Sequence, residues 1–222
     1  MTIDPRDEPD RADEQSGVPA PDPGRGPFIG PEAPQLQSSS RLDDVVRTLV
    51  AGPAGSDHAQ DEVRARMLAF AAEHPDALLR SCAEGHFTGS AVVLDSAGER
   101  TLVLFHTKLQ RWLQPGGHAD GDGNLAAVAW REATEETGIA GLVIDPVPID
   151  LDIHRVAPPG EPTHEHLDVR YVVRAPAGAV EQGNHESQAL RWVRPTELAG
   201  LGVDLGTERL VAAAFARLRR VS

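Results

Sequence analysis

Apolar positions along this chain alternate between helical and strand periods, and the changes mark its elements. Leu42, Val45, Val46, Leu49 and Val50 recur at three- and four-residue steps, the spacing of one helix face. Asp43 and Asp44 suit the first turn of that helix, and Gly52-Pro53 stops it. A second helix is predicted over about residues 58–74, with Val63, Met67, Leu68, Phe70 and Ala71 as its apolar stripe. Pro75-Asp76 then opens a short third helix that ends near Cys82. From about residue 86 the period shortens. Ala91 to Leu94 and Leu102 to His106 read as paired strands around the turn Asp95-Ser96-Ala97-Gly98. A helix is predicted from Leu125 to Thr137, then strands at about 143–154, 166–174 and 189–193. Pro195 fits the first turn of a short helix over Thr196 to Ala199. A last helix covers about Thr207 to Arg219, with its basic residues near the end that the helix dipole favours.

These elements divide the chain into three parts. Residues 1–40, rich in Pro, Asp, Glu, Gly and Ser, hold too little apolar surface to offset the entropy of ordering and read as a disordered tail. Residues 41–83 read as a small helical lead-in, and residues 84–222 as the main domain. Strands interleaved with helices permit an α/β fold with a mixed sheet between helices. No internal repeat is visible.

The densest chemistry lies in GHADGDGNLAAVAWREATEETGI, residues 117–139. At about 100° per residue, Glu132, Glu135 and Glu136 fall on one helix face. Like charges at this spacing repel, so the cluster makes sense with a cation in front of it. Mg²⁺ takes carboxylate oxygens and commonly shares its site with substrate phosphates. Acidic helix faces of this kind are also common solvated surfaces. The glycine turn Pro115-Gly116-Gly117-His118 before the helix and the punctuating Gly138 make the pattern more specific.

The segment resembles the Nudix box, the signature of Nudix hydrolases. Gly117, Arg131, Glu132, Glu135, Glu136, Gly138 and Ile139 all fall in its register, and the flanking strand pattern extends the resemblance over about residues 84–200. The resemblance implies an α/β/α sandwich with a mixed sheet, and hydrolysis of a diphosphate linkage. It implies that Glu132, Glu135 and Glu136 hold Mg²⁺, with Mn²⁺ as a substitute, joined by a backbone carbonyl at Gly116 or Gly117. It also implies that Arg131 orients a box glutamate. One position departs: the first box glutamate, which in the family helps hold the arginine, is Gly123 here. Asp120 and Asp122 are the nearby carboxylates that could replace it.

Other candidates flank the box. The resemblance gives the general base as a glutamate outside the box or one within it. Glu186, just before a predicted strand, is the outside candidate, with a solvated loop glutamate as the alternative. His118 beside the glycine turn is a candidate substrate contact, as is Gly117 through its backbone. Trp112 could stack on a nucleobase or simply pack. His164, His166 and Asp168 alternate at strand period and share a face, either lining a cleft or lying exposed on an edge.

The 222 residues carry a formal charge of −13 and no basic stripe. Binding along a nucleic-acid polymer is therefore disfavoured, whereas a phosphorylated small molecule remains an acceptable partner if metal ions neutralise both sides. A homodimer is compatible with the sequence. Cys82 is the only cysteine, which excludes an intrachain disulfide and fits a reducing compartment. No apolar run approaches the ~20 residues of a membrane span, and no signal pattern opens the chain, so a cytoplasmic protein is expected. Two alternatives to a hydrolase share the fold. One is a ligand-binding or regulatory module without turnover, supported only by Gly123. The other is an isopentenyl-diphosphate isomerase, which needs a cysteine that Cys82 supplies poorly from the lead-in.

Overall fold

The computed structural model describes residues 28–52, 57–158, 160, 162–185 and 187–221. Its lead-in helices are α1 (Leu42–Ala51) and α2 (His58–Glu73). The third helix expected after Pro75 is a run of turns instead. There Ala77 N–H donates to His74 O and Leu79 N–H to Asp76 O, and Phe87 N–H claims Ala77 O, so the backbone bonds are spent on turns and on the sheet.

The sheet is built from β1 (Gly85–Leu94), β2 (Thr101–His106), β3 (Arg111–Leu113), β4 (Gly116–His118), β5 (Val143–Val156), β6 (His164–Arg174) and β7 (Ser187–Val193). Its main path runs β3-β2-β1-β6-β5, with β4 paired to β1 and β7 to β2. The β1–β6 pair is parallel and the other pairs are antiparallel, so the sheet is mixed. The expected glycine turn at residues 115–118 thus contains a short strand: Gly116, Gly117 and His118 pair with Ser90, Gly89 and Thr88.

Alternation along β1 and β6 feeds two cores. Phe87, Ala91, Val93, Val169, Tyr171 and Val173 pack with Leu49 of α1, Met67 of α2 and Val128 and Ala133 of α3 (Leu125–Thr137). Val92, Leu94 and Val172 face the other way, against Leu198 of the 3-10 turn Pro195–Leu201 and Leu210, Val211 and Ala214 of α4 (Leu205–Val221). Helices therefore cover both faces of a mixed sheet, the α/β/α sandwich that was expected.

Residues 28–40 differ from the disordered tail expected there. Ile29 and Ile144 exchange both backbone hydrogen bonds, at 2.8 and 2.9 Å. Leu36, in a 3-10 turn over Pro34–Leu36, is buried in the first core. The segment then runs across the loop that opens α3, where Asn124 Nδ2 donates to Gln35 O and Gln37 O. Backbone and serine hydrogen bonds seat it together with three apolar anchors, Phe28, Ile29 and Leu36, too few for its composition to signal order. Residues 1–27 lie outside the described residues.

Candidate functional site

Helix α3 places the box. Asn124 caps it, accepting from Ala127 N–H at 3.3 Å, and Gly138 ends it in the left-handed region at φ 64°. One side of the helix lies on β4. Glu136 is buried and accepts from Gly116 N–H at 3.0 Å. One turn earlier, the Glu132 carboxylate presses on Gly117, where a Cβ would meet its Cδ at 2.5 Å. Only glycine lets the strand and the carboxylate approach this closely. Arg131 Nη2 donates to Glu132 Oε1 at 3.2 Å. Glu135 is exposed at the helix edge. Oxygen donors from carboxylates beside backbone carbonyls suit a hard divalent cation.

The departure at Gly123 has a steric cause. A Cβ there would meet Arg41 O at 2.1 Å, and Gly123 N–H donates to Ser39 O at 2.5 Å. The segment before α1 occupies the space that a glutamate side chain would need. Both neighbouring aspartates bond other groups, although Arg131 lies close enough to Asp120 to help lower its carboxyl. Asp120 forms two bonds to Arg80, at 2.7 and 2.6 Å, which hold its carboxyl below the usual range. Asp122 accepts from Ser38 Oγ, Ser39 N–H and Asn124 N–H.

Other candidates land elsewhere. Trp112 lies on β3, packed edge-on against Phe105 with ring centroids 5.3 Å apart, and borders the second core. Its observed contacts are those of a packing residue. Glu186 lies outside the described residues. The segment before it docks on the end of α3, where Gln182 N–H donates to Thr137 O and Asn184 Nδ2 to Glu135 O. Asp168 does not line a cleft as a free carboxylate: it is buried and accepts from Thr88, Ser90 and Arg170. Cys82 is buried, and burial pushes its thiol up, the opposite of what a reactive cysteine needs.

The histidines converge more than the sequence showed. His118 points away from the α3 side of β4, and its ring lies 4.9 Å from that of His86 and 5.0 Å from that of His166. His164 is 4.9 Å from His86, and His154 is 5.4 Å from His166. The alternation of His164 and His166 was legible. Their meeting with His86 was not, because the parallel β1–β6 register that joins His86 to His166 is non-local. His86 is 2% exposed, and neither of its ring nitrogens has a hydrogen-bond partner; His166 Nε2 has none either. A neutral imidazole carries one donor and one acceptor, and each left unmade in a dry site costs about 1–3 kcal/mol. Burial, then the rings of His118 and His164, push His86 down to about 4. Burial and the surrounding rings push His166 down to about 2.

A family model described as NUDIX domain matches residues 86–214, more than half of the chain. The chain belongs to the NUDIX domain family, the family of Nudix-type pyrophosphohydrolases. No curated protein matches it. Among solved structures it is similar to a C. elegans Ap4A hydrolase, at 19% identity and a TM-score of 0.51 over 60% of this chain and 98% of that one. It is also similar to RenU, a Nudix hydrolase from M. smegmatis, at 23% identity and a TM-score of 0.43 over 61% and 84%. A third is the NUDIX domain of Shewanella oneidensis NrtR in complex with ADP ribose, at 16% identity and a TM-score of 0.48 over 66% and 97%.

Proposed function

We propose that the chain is a Mg²⁺-dependent cytoplasmic hydrolase of a diphosphate linkage in a nucleoside-diphosphate-linked or related phosphorylated small molecule. The observation that carries this reading is the meeting of α3 and β4, where Glu132 and Glu136 are held against Gly117 and Gly116. Glu132, Glu135 and Glu136 would hold the cation, with a carbonyl of Gly116 or Gly117 beside them. When bound, Mg²⁺ neutralises phosphoryl oxygens and acidifies a coordinated water.

The chain's own residues supply the rest. The Gly116 N–H fixes one oxygen of Glu136, which sets the direction of the other. Arg131 aims Glu132 by a charge-assisted bond. Glu186 or a box glutamate takes the proton of the attacking water as its oxygen bonds to phosphorus and the bridging P–O bond breaks. We assign Trp112 to packing and His118 to the histidine cluster, while the Gly117 backbone stays a substrate or metal contact. Gly123, the sole sequence support for a module without turnover, also has a steric explanation.

The test is a panel of nucleoside triphosphates, dinucleotides including Ap4A, and nucleotide sugars with Mg²⁺, reading phosphate directly or after a coupled phosphatase. At least one substrate should release phosphate. Glu136→Gln, which can still accept from Gly116 N–H, should lower kcat by at least ~10²-fold with melting little changed. Silence across the panel, or undiminished turnover by that variant, would overturn the reading.

A further inference from the structure

We propose that His86, His164 and His166 form a site for a borderline divalent transition-metal ion, Zn²⁺ by its donor chemistry, separate from the carboxylate site on α3. The ligand nitrogens of the three rings lie within 4.8 Å of one another. Tetrahedral Zn–N bonds of about 2.0–2.1 Å set paired ligand atoms about 3.3–3.4 Å apart. The rings therefore need to close by up to about 1.5 Å, within the reach of small side-chain rotations.

Four independent observations point to an ion. First, His86 is buried with both nitrogens orphaned, and His166 has an orphaned Nε2. Packing alone leaves these groups unexplained, whereas a metal satisfies a lone pair on each ring. Second, His164 Nδ1 lies 2.9 Å from Pro162 O, which can only accept. The proton is thereby fixed on Nδ1 and the Nε2 lone pair is freed, the outer-partner arrangement typical of metal-bound imidazole. Third, the parallel β1–β6 register sets His86 directly beside His166, with His164 two residues before it on the same face, so the backbone itself gathers three imidazoles. Fourth, neighbouring rings frame the place: His118 flanks His86 and His166, and His154, which meets Asp152 Oδ2 at 2.9 Å, flanks His166.

The donor set selects the ion. Three imidazoles suit Zn²⁺ and its neighbours in the transition series, whereas Mg²⁺ prefers oxygen. Asp168, which shares the face of His164 and His166, is taken up by Thr88, Ser90 and Arg170. Three protein ligands leave a fourth position for water or an anionic group. The site is distinct from the α3 carboxylates because β4 separates them: Gly117 faces Glu132, and His118, one residue on, faces the rings. A second group, His74, Cys82 and Glu84, also brings ligand atoms together, but its glutamate is exposed and none of its atoms is an orphaned buried one.

The experiment uses the full chain, stripped with a chelator, dialysed against Zn²⁺ and assayed for bound metal, with Co²⁺ replacing Zn²⁺ to report ligand type by visible absorption. About one Zn²⁺ per chain is expected, with a tetrahedral nitrogen-ligated Co²⁺ spectrum and a Zn²⁺-dependent rise in Tm. The Glu132→Gln/Glu136→Gln variant should keep all three signals. His164→Gln and His166→Gln should each weaken Zn²⁺ by at least about 100-fold, more than the loss of an outer partner costs, and lose the Zn²⁺-dependent rise in Tm. Melting of each variant without metal identifies any that fails to fold, and the other then decides. No retained Zn²⁺, or retention lost in the carboxylate variant and unchanged in the histidine variants, would overturn the proposal.

Discussion

Position 123 shows how one residue can answer to two neighbours. Its register belongs to the box, yet its side-chain space belongs to the backbone of Ser39–Arg41. Gly123→Ala should cost about 1–3 kcal/mol by overpacking, which for a chain of this size lowers Tm by roughly 3–10 °C. Gly123→Glu should cost more and should not raise turnover; a gain in activity at unchanged Tm would contradict the steric account. Asp95 is a second single-residue case. Burial raises its carboxyl, but the bonds from Arg100 and from the Glu99 and Arg100 N–H groups outweigh that and leave it below its ordinary value. A depressed carboxyl contributes stability that is present above the ordinary pKa of about 4 and is lost as pH falls through the folded value. Asp95→Asn should therefore lower Tm near neutral pH, and the gap to the parent should shrink at about pH 3. An equal gap at both would show that the charge plays no part.

Among the elements, those set by local pattern were legible and those set by distant partners were not. α3 spans the residues predicted for it and ends at Gly138 as expected, because amphipathic spacing and a helix-stopping glycine are local signals. β4, three residues with two glycines, carries no strand pattern of its own, and β1 imposes it. The box carboxylates were readable for the same reason as α3, whereas the histidine cluster depends on β1 meeting β6. The segment over residues 28–40 was misread because its bonds run largely through the backbone, on which composition is silent, and its apolar anchors are few. Deleting residues 1–40 removes the Ile29–Ile144 pair, the contacts to Asp122 and the acceptors of Asn124. At about 1 kcal/mol for each of several hydrogen bonds, Tm should fall by at least ~5 °C by calorimetry. A shift under about 2 °C would show that the segment adds nothing to the fold.

At the scale of the whole molecule, one buried ionic knot ties the sheet to its last helix. Arg170 on β6, with 4% of its side chain exposed, bonds Asp168, Asp150, Asp152 and the Gly206 carbonyl at the start of α4. Arg209 of α4 bonds Asp150 and Asp152 in turn. Burial raises Asp150 despite these partners, while Asp152 is held low against burial by His154 and both arginines. Removing one partner from such a set strands buried charge, so Arg170→Met should destabilise the protein by about 3–5 kcal/mol in urea unfolding. A loss below about 1 kcal/mol would mean the aspartates find water or protonate instead. Among the described residues, no helix is long and apolar enough to cross a membrane.

The crossing of Ser39–Arg41 over Gly123 also has an evolutionary side. It makes the identity of residue 123 hostage to a segment more than 80 positions earlier in the chain. Relatives that keep this strap should be held to glycine at that place, and relatives that lack it should be free to carry a carboxylate. The two traits should be gained and lost together across the lineage.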